Sequence, residues 1–152
     1  MIAALVIGLL AASIPVAPPA ADVEDMCAIG RLALKDLPSI DRAPSSEKFY
    51  GGRTTQYHRD VLEACPKLRR FLPRRFRLAT EATFKRERDI VSSSPVTIFY
   101  VEVPQLNADR TRATIRLGYY CNGLCGAEYE ETYVREKVGW VRQGEPRIKS
   151  IS

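Results

Sequence analysis

Between Asp22 and Leu37, apolar or small side chains recur at three- and four-residue steps: Val23, Met26, Cys27, Gly30, Ala33 and Leu37 share one face. That spacing predicts an amphipathic helix. Asp22 stands where a side chain caps a helix start, and Asp25 falls in the first turn, where the helix dipole favours an acid. Pro38 ends the run. A second helix is expected from Thr54 or Thr55 to about Ala64, with Tyr57, Val61, Ala64, Cys65 and Leu68 on one side. Pro66 breaks its ladder and opens a fresh turn, Lys67 to Leu72, which Pro73 stops. Residues 38–53, rich in Pro, Ser and Gly, read as a linker with room for a helical turn at Ser46–Tyr50.

The periodicity then changes from helical to alternating. Phe76, Leu78, Thr80, Ala82 and Phe84 alternate with Arg77, Ala79, Glu81, Thr83 and Lys85, the pattern of a half-buried strand. Strands are also expected at Val96–Val103, Thr111–Cys121, Gly126–Glu136 and Trp140–Ile151, the last interrupted near Gly144-Glu145-Pro146. Helices first, then strands with short connections, specify an α+β domain. Its N-terminal helices pack on a curved antiparallel β-meander of four to five strands.

The Asn122-Gly123 turn fixes a hairpin register. If Cys121 faces Cys125, Tyr119 meets Ala127, Leu117 meets Tyr129, Ile115 meets Glu131 and Ala113 meets Tyr133 on one face. The other face pairs Tyr120 with Gly126, Gly118 with Glu128, Arg116 with Glu130 and Thr114 with Thr132. The first face is apolar and Tyr-rich, and the second is solvated. A one-residue slip would exchange them. Arg116–Glu130 is expected as an opposite-charge pair. Glu131 is the misfit on the apolar face: it must bond an Arg or a Tyr hydroxyl, meet water, or serve as the polar group of a pocket between sheet and helices.

Composition adds compartment. The chain has 152 residues, 45% hydrophobic and 27% charged, which excludes a collagen-like, wholly disordered or polytopic membrane chain. One domain, residues 22–152, accounts for it. Residues 1–21 carry no charged side chain, and Ile2–Leu10 is apolar, followed by Ala11, Ala12, Ser13 and Pro15. The run is short for a membrane span and reads as a secretory signal peptide, or alternatively as an uncleaved anchor. The acids before Cys27 leave no lipobox.

Four Cys in an exported chain suggest two disulfides. Directly opposed cross-strand residues have Cβ atoms about 4.5–5.5 Å apart, close enough to adjust into a Cys121–Cys125 bridge. Cys27–Cys65 follows by elimination and clamps the two helical regions. The competing chemistries fit less well. Zinc wants a second close Cys or His pair, which lone Cys27 and Cys65 do not supply, and redox catalysis wants two residues between the Cys, not three. No metal and no cofactor are expected.

The helical front half, the strand run and the closing Gly139-Trp140 strand resemble the cystatin-like or nuclear-transport-factor-2-like α+β group. The resemblance implies a cone-shaped cavity between helix and sheet, used for small apolar ligands or for pairing with another subunit. The catalytic Asp–His pattern of that group's enzymes is missing, so no activity carries over. Tyr119, Tyr129, Glu131, Tyr133 and His58 are the cavity candidates. His58 is the only His, placed on the second helix, and with Glu131 it would form an acid/base pair if both faced one cavity.

The net charge of +5 has a local source. Between Lys67 and Arg88, nine cations stand against Glu81 and Glu87, interleaved with Phe71, Phe76 and Phe84. Arg69, Arg70, Arg74, Arg75 and Arg77 are the candidates for holding an anionic surface. The alternative is a solvated face balanced by the protein's own acids. Nucleic acid is not expected as a partner of an exported chain. The sequence therefore points to an exported binding or interaction domain, with a His–carboxylate cavity enzyme and an anionic-surface binder as the alternatives.

Overall fold

The two longest strands organise the molecule. In the computed structural model, which describes residues 20–43, 46–52, 58–91, 94–122 and 125–151, β5 (Arg112–Cys121) and β6 (Cys125–Glu136) form one hairpin. Its register runs unbroken from Arg112↔Val134 to Cys121↔Cys125, as the hairpin count requires. The burial alternates with it. Ala113, Ile115, Leu117 and Tyr119 are buried on one face, as are their partners Ala127, Tyr129, Glu131 and Tyr133.

Around the hairpin the sheet grows into a curled, mixed array of eight strands, ordered β2 (Arg77–Leu78), β1 (Glu47–Tyr50), β3 (Val96–Val101), β5, β6 and β7 (Gly139–Arg142), with β4 (Gln105–Leu106) on β5 and β8 (Arg147–Ile151) on β6. The α+β class holds, but the sheet is neither purely antiparallel nor limited to five strands. β1 (Glu47–Tyr50) runs parallel to both β2 (Arg77–Leu78) and β3 (Val96–Val101). β1 occupies the stretch read as linker or helical turn. Its adjacent Phe49 and Tyr50 are both buried, in different apolar clusters on opposite faces. Only an extended backbone between two layers satisfies both. β7 (Gly139–Arg142) and β8 lie end to end along one edge of β6, with Gly144 in the left-handed region (φ 74°) between them.

The strand expected over residues 76–85 is replaced by β2 and a helix, α3 (Glu81–Arg88). Thr80 caps it reciprocally: its hydroxyl accepts from the Thr83 backbone N–H, and the Thr83 hydroxyl accepts from the Thr80 N–H. Glu81 in the first turn and Lys85, Arg86 and Arg88 in the last complement the helix dipole. The alternation misled because its apolar members have different destinations. Leu78 is 46% exposed, Phe76 joins the main core and Phe84 the second cluster.

The first helix, α1 (Ala20–Asp36), lies across the face carrying Ile115 and Leu117. It buries Ile29, Ala33 and Leu34, with Leu37 just beyond it, in one core with Phe99, Val101, Ile115, Leu117 and Tyr133. The buried stripe is rotated from the expected one: Val23 is exposed and Asp25 is buried. Gly30 lets α2 (Val61–Ala64) approach, since a Cβ there would stand 2.4 Å from Val61 Cγ2. Thr54, Thr55 and Tyr57 lie outside the described residues. The second helix starts later than expected, at Val61, with Asp60 as cap accepting from the Leu62 N–H at 2.8 Å. A 3-10 turn over Pro66–Phe71 follows where Pro66 was expected to restart the chain. The Cys27–Cys65 bridge joins α1 to the residue before that turn, Cα to Cα 5.7 Å, and Cys121–Cys125 closes the hairpin at 5.2 Å. No helix among the described residues is long and apolar enough to cross a membrane.

Candidate functional site

The sheet face turned away from α1 carries an open cleft lined by titratable side chains. Strand alternation sends Tyr100 and Glu102 to this side, and Tyr120 and Glu128 project beside them from β5 and β6. His58 and Arg59 precede α2 as extended chain rather than helix. Asp60 bridges antiparallel to Glu102, and the Val103 N–H donates to the Arg59 carbonyl at 2.8 Å. That local pairing lays His58 against Glu102, Nδ1 to Oε1 2.6 Å, the imidazole partly exposed and the carboxylate mostly buried.

Gly118 shapes the wall. The Tyr100 ring lies over it, and the Tyr100 hydroxyl donates to Glu128 Oε2 at 3.4 Å, on the strand beyond. A Cβ at residue 118 would stand 2.7 Å from that hydroxyl and 2.4 Å from the Ala127 carbonyl oxygen, so the crossing needs glycine. The Tyr120 ring tilts against Tyr100 with centroids 6.3 Å apart. Together with Gly52, Arg59, Asp60 and Val101, these groups enclose an open cleft of about 200 Å³.

Burial raises the Glu102 carboxyl above its ordinary value; His58 and Arg116 pull it back and Glu128 pushes it further up. Burial and then the Glu128 and Glu102 charges raise the Tyr100 hydroxyl, which therefore stays a donor at neutral pH. At the rear, burial raises Asp60 against the opposing bonds from the Tyr50 hydroxyl (2.7 Å) and the Leu62 N–H. The cleft thus offers carboxylate acceptors, a phenol donor, an imidazole and two aromatic walls. Among the described residues, no cluster of three or more His, Cys, Asp or Glu is arranged to hold a metal ion.

The structure divides the cavity candidates between the two faces. Tyr119 and Tyr129 line an open groove of about 410 Å³ with Ile40, Ile148 and Ile151. Glu131 and Tyr133 are 1% and 0% exposed under α1. The Tyr133 hydroxyl donates to Glu131 Oε2 at 2.6 Å, and Arg142 reaches Glu131 Oε1 at 3.4 Å and Asp36 at 3.2 Å. Glu131 is thus bonded to both an Arg and a Tyr hydroxyl. The sheet stands between it and His58, and the carboxylate beside His58 is Glu102.

The basic run is also divided. Arg75 donates to the Pro38 carbonyl at 3.0 Å and stands 3.3 Å from Asp41; Arg77 and Arg86 both bind Glu47. Arg69 lines a groove that also holds Glu63 and Glu81. Arg70 stacks on Phe71, and Arg74 is exposed. Arg116 stands opposite Glu130 in register, but among the described residues Glu130 forms its ion pair with Lys149, at 3.7 Å. Glu102, Tyr100 and Glu128 escaped the sequence reading. Their signals were the same-face pair Tyr100-x-Glu102 and a glycine inside a long strand, a mark of close approach.

Neither a protein-family model, nor a curated protein, nor a solved structure matches this chain.

Proposed function

We propose that the chain is an exported, disulfide-stapled binding domain, and that its ligand site is the cleft between His58 and the Tyr100–Glu128 wall. The carrying observation is the 2.6 Å His58–Glu102 contact at a cleft walled by two tyrosines. A concave site with aromatic sides and a few convergent polar groups is the ordinary form of a small-ligand pocket. Its acceptors favour a small ligand bearing amine or amide donors. Export is supported by all four cysteines being paired and by the charge-free, apolar opening of the chain, read as a signal peptide. From the cystatin-like or nuclear-transport-factor-2-like resemblance this reading takes architecture alone, a first helix laid across a curled sheet.

An amide-resolved NMR fragment screen on the oxidised protein tests the site. Donor-bearing fragments are expected to shift Gly52, Arg59, Val101 and Glu128 together, and Glu102→Ala is expected to weaken them about tenfold, the loss of one charge-assisted bond. Hits that gather at Tyr119 and Tyr129 instead, or nowhere, defeat the proposal. A second reading, a small acid/base enzyme, draws on the same His58–Glu102 contact. It requires that His58→Gln abolish turnover of a bound fragment while changing its affinity no more than about twofold.

A further inference from the structure

Several of the cations without an ion-pair partner among the described residues lie on a second surface, where α1 meets the 3-10 turn. The Cys27–Cys65 bridge fixes α1 beside the 3-10 turn Pro66–Phe71. One helical turn beyond Cys27, Arg31 lays its guanidinium over the Phe71 ring, 4.1 Å from the centroid. Arg70 stacks on the same ring at 4.8 Å. Residues three apart in a 3-10 helix eclipse, which brings Lys67 to the side of Arg70; residues four apart on α1 bring Lys35 beside Arg31. Arg74 follows the turn in sequence, next to Arg75, whose guanidinium donates to the Pro38 carbonyl just beyond α1. Arg31, Lys35, Lys67, Arg70 and Arg74 are all exposed, and among the described residues none forms an ion pair. The exposed acids next to this band in sequence are Glu24, two turns from Arg31, and Glu63, four residues before Lys67.

We propose that this band is a binding site for a linear acidic polysaccharide bearing sulfate or uronate groups. Two guanidiniums held by stacking on one ring are pre-organised for forked bonds to such groups, at less entropic cost than free side chains. The surface lacks what a bilayer would need. Phe71 is stacked under guanidiniums instead of protruding, and no side chain of the 3-10 turn, nor of α1 beyond Val23, is among the exposed large apolar groups. The site is independent of the His58 cleft and lies on the α1 side of the sheet.

Calorimetric titration of the oxidised full chain with a heparin hexasaccharide, read beside heparin-column elution, tests it. The double variant Arg31→Gln/Arg70→Gln is expected to lose affinity about tenfold or more, two charge-assisted contacts being removed. Arg75→Gln/Arg77→Gln removes the same net charge from guanidiniums already bound to Asp41 and Glu47, and is expected to change affinity no more than about twofold. Phe71→Leu keeps every charge and is expected to weaken binding several-fold by releasing the stack. Far-UV circular dichroism checks that each variant folds, and Arg31→Lys/Arg70→Lys, with charge kept and the fork lost, replaces the Gln pair if that pair does not fold. Equal losses in the two Gln pairs, or no loss in the first, overturn the site. Tighter binding to phosphatidylglycerol vesicles through the same residues overturns the polysaccharide.

Discussion

Asp25 and Glu131 are two buried carboxylates with opposite titration behaviour. Asp25, 6% exposed, accepts from the Trp140 indole N–H at 3.0 Å and from Arg135 at 2.8 Å, and pairs with Arg110. Burial alone would raise its carboxyl, but Trp140, Arg110 and Arg135 together hold it below its ordinary value. Its stabilising contribution is therefore present above the unfolded-state value and is lost as the pH falls through the folded one. For Glu131 burial dominates and leaves the carboxyl raised despite Tyr133 and Arg142. Its ionisation opposes folding at neutral pH, and stability is regained as the pH falls through the folded value. Urea midpoints measured from about pH 7 to about pH 3 separate the two. Asp25→Asn is expected to cost about 2–3 kcal/mol at neutral pH and to flatten the acid-side fall. Glu131→Gln is expected to remove the gain on mild acidification, and an unchanged profile in either variant would refute its assignment. The sequence marked Glu131 because the hairpin register put a charge on an apolar face. It marked Asp25 only as a first-turn acid, because its donors lie far along the chain, Arg110 in the turn before β5, Arg135 on β6 and Trp140 on β7.

The β5–β6 hairpin was legible because its turn, its cysteines and its alternation all select one register. β1 and α3 were not: a strand of four residues has too few positions to show a period, and α3 was hidden by a coincidental alternation through its cap. Asn122 is where the legible element holds the illegible ones. It adopts a left-handed φ of 45° at the hairpin tip. Its amide nitrogen donates to the Arg86 and Asp89 carbonyls at 3.0 and 2.9 Å, at the end of α3, and its amide oxygen accepts from the Val96 N–H at 3.0 Å, at the start of β3. Asn122→Gly keeps the turn but removes these three bonds. It is expected to cost about 2–3 kcal/mol and to raise amide exchange in α3 while β5 and β6 stay protected. Asn122→Ala adds the strain of a positive φ and is expected to cost about 1 kcal/mol more. Uniform loss of protection across the sheet would show instead that Asn122 acts through the hairpin.

At the scale of the whole molecule, a single sheet separates two surfaces of different chemistry. α1 and the cation band lie on one side; α3 and the His58 cleft lie on the other. Alternation within each strand assigns faces but not which distant segments cover them, so the sequence alone allows a His58–Glu131 pair that the sheet between them forbids. The Cys27–Cys65 bridge lies on the α1 side and ties the helix to the 3-10 turn. Its loop-closure contribution is about 3–4 kcal/mol. The double variant Cys27→Ala/Cys65→Ala is expected to lose about that much stability. Amide exchange should rise first in α1 and in Pro66–Phe71, and the β5–β6 ladder, held by its own register, should open only with global unfolding. The same variant releases Arg31 from its place over Phe71 and should therefore weaken heparin-hexasaccharide binding without moving the fragment shifts at Gly52 and Val101. Coupled loss at both surfaces would mean that the sheet transmits the disturbance, and the two sites would then have to be treated as one.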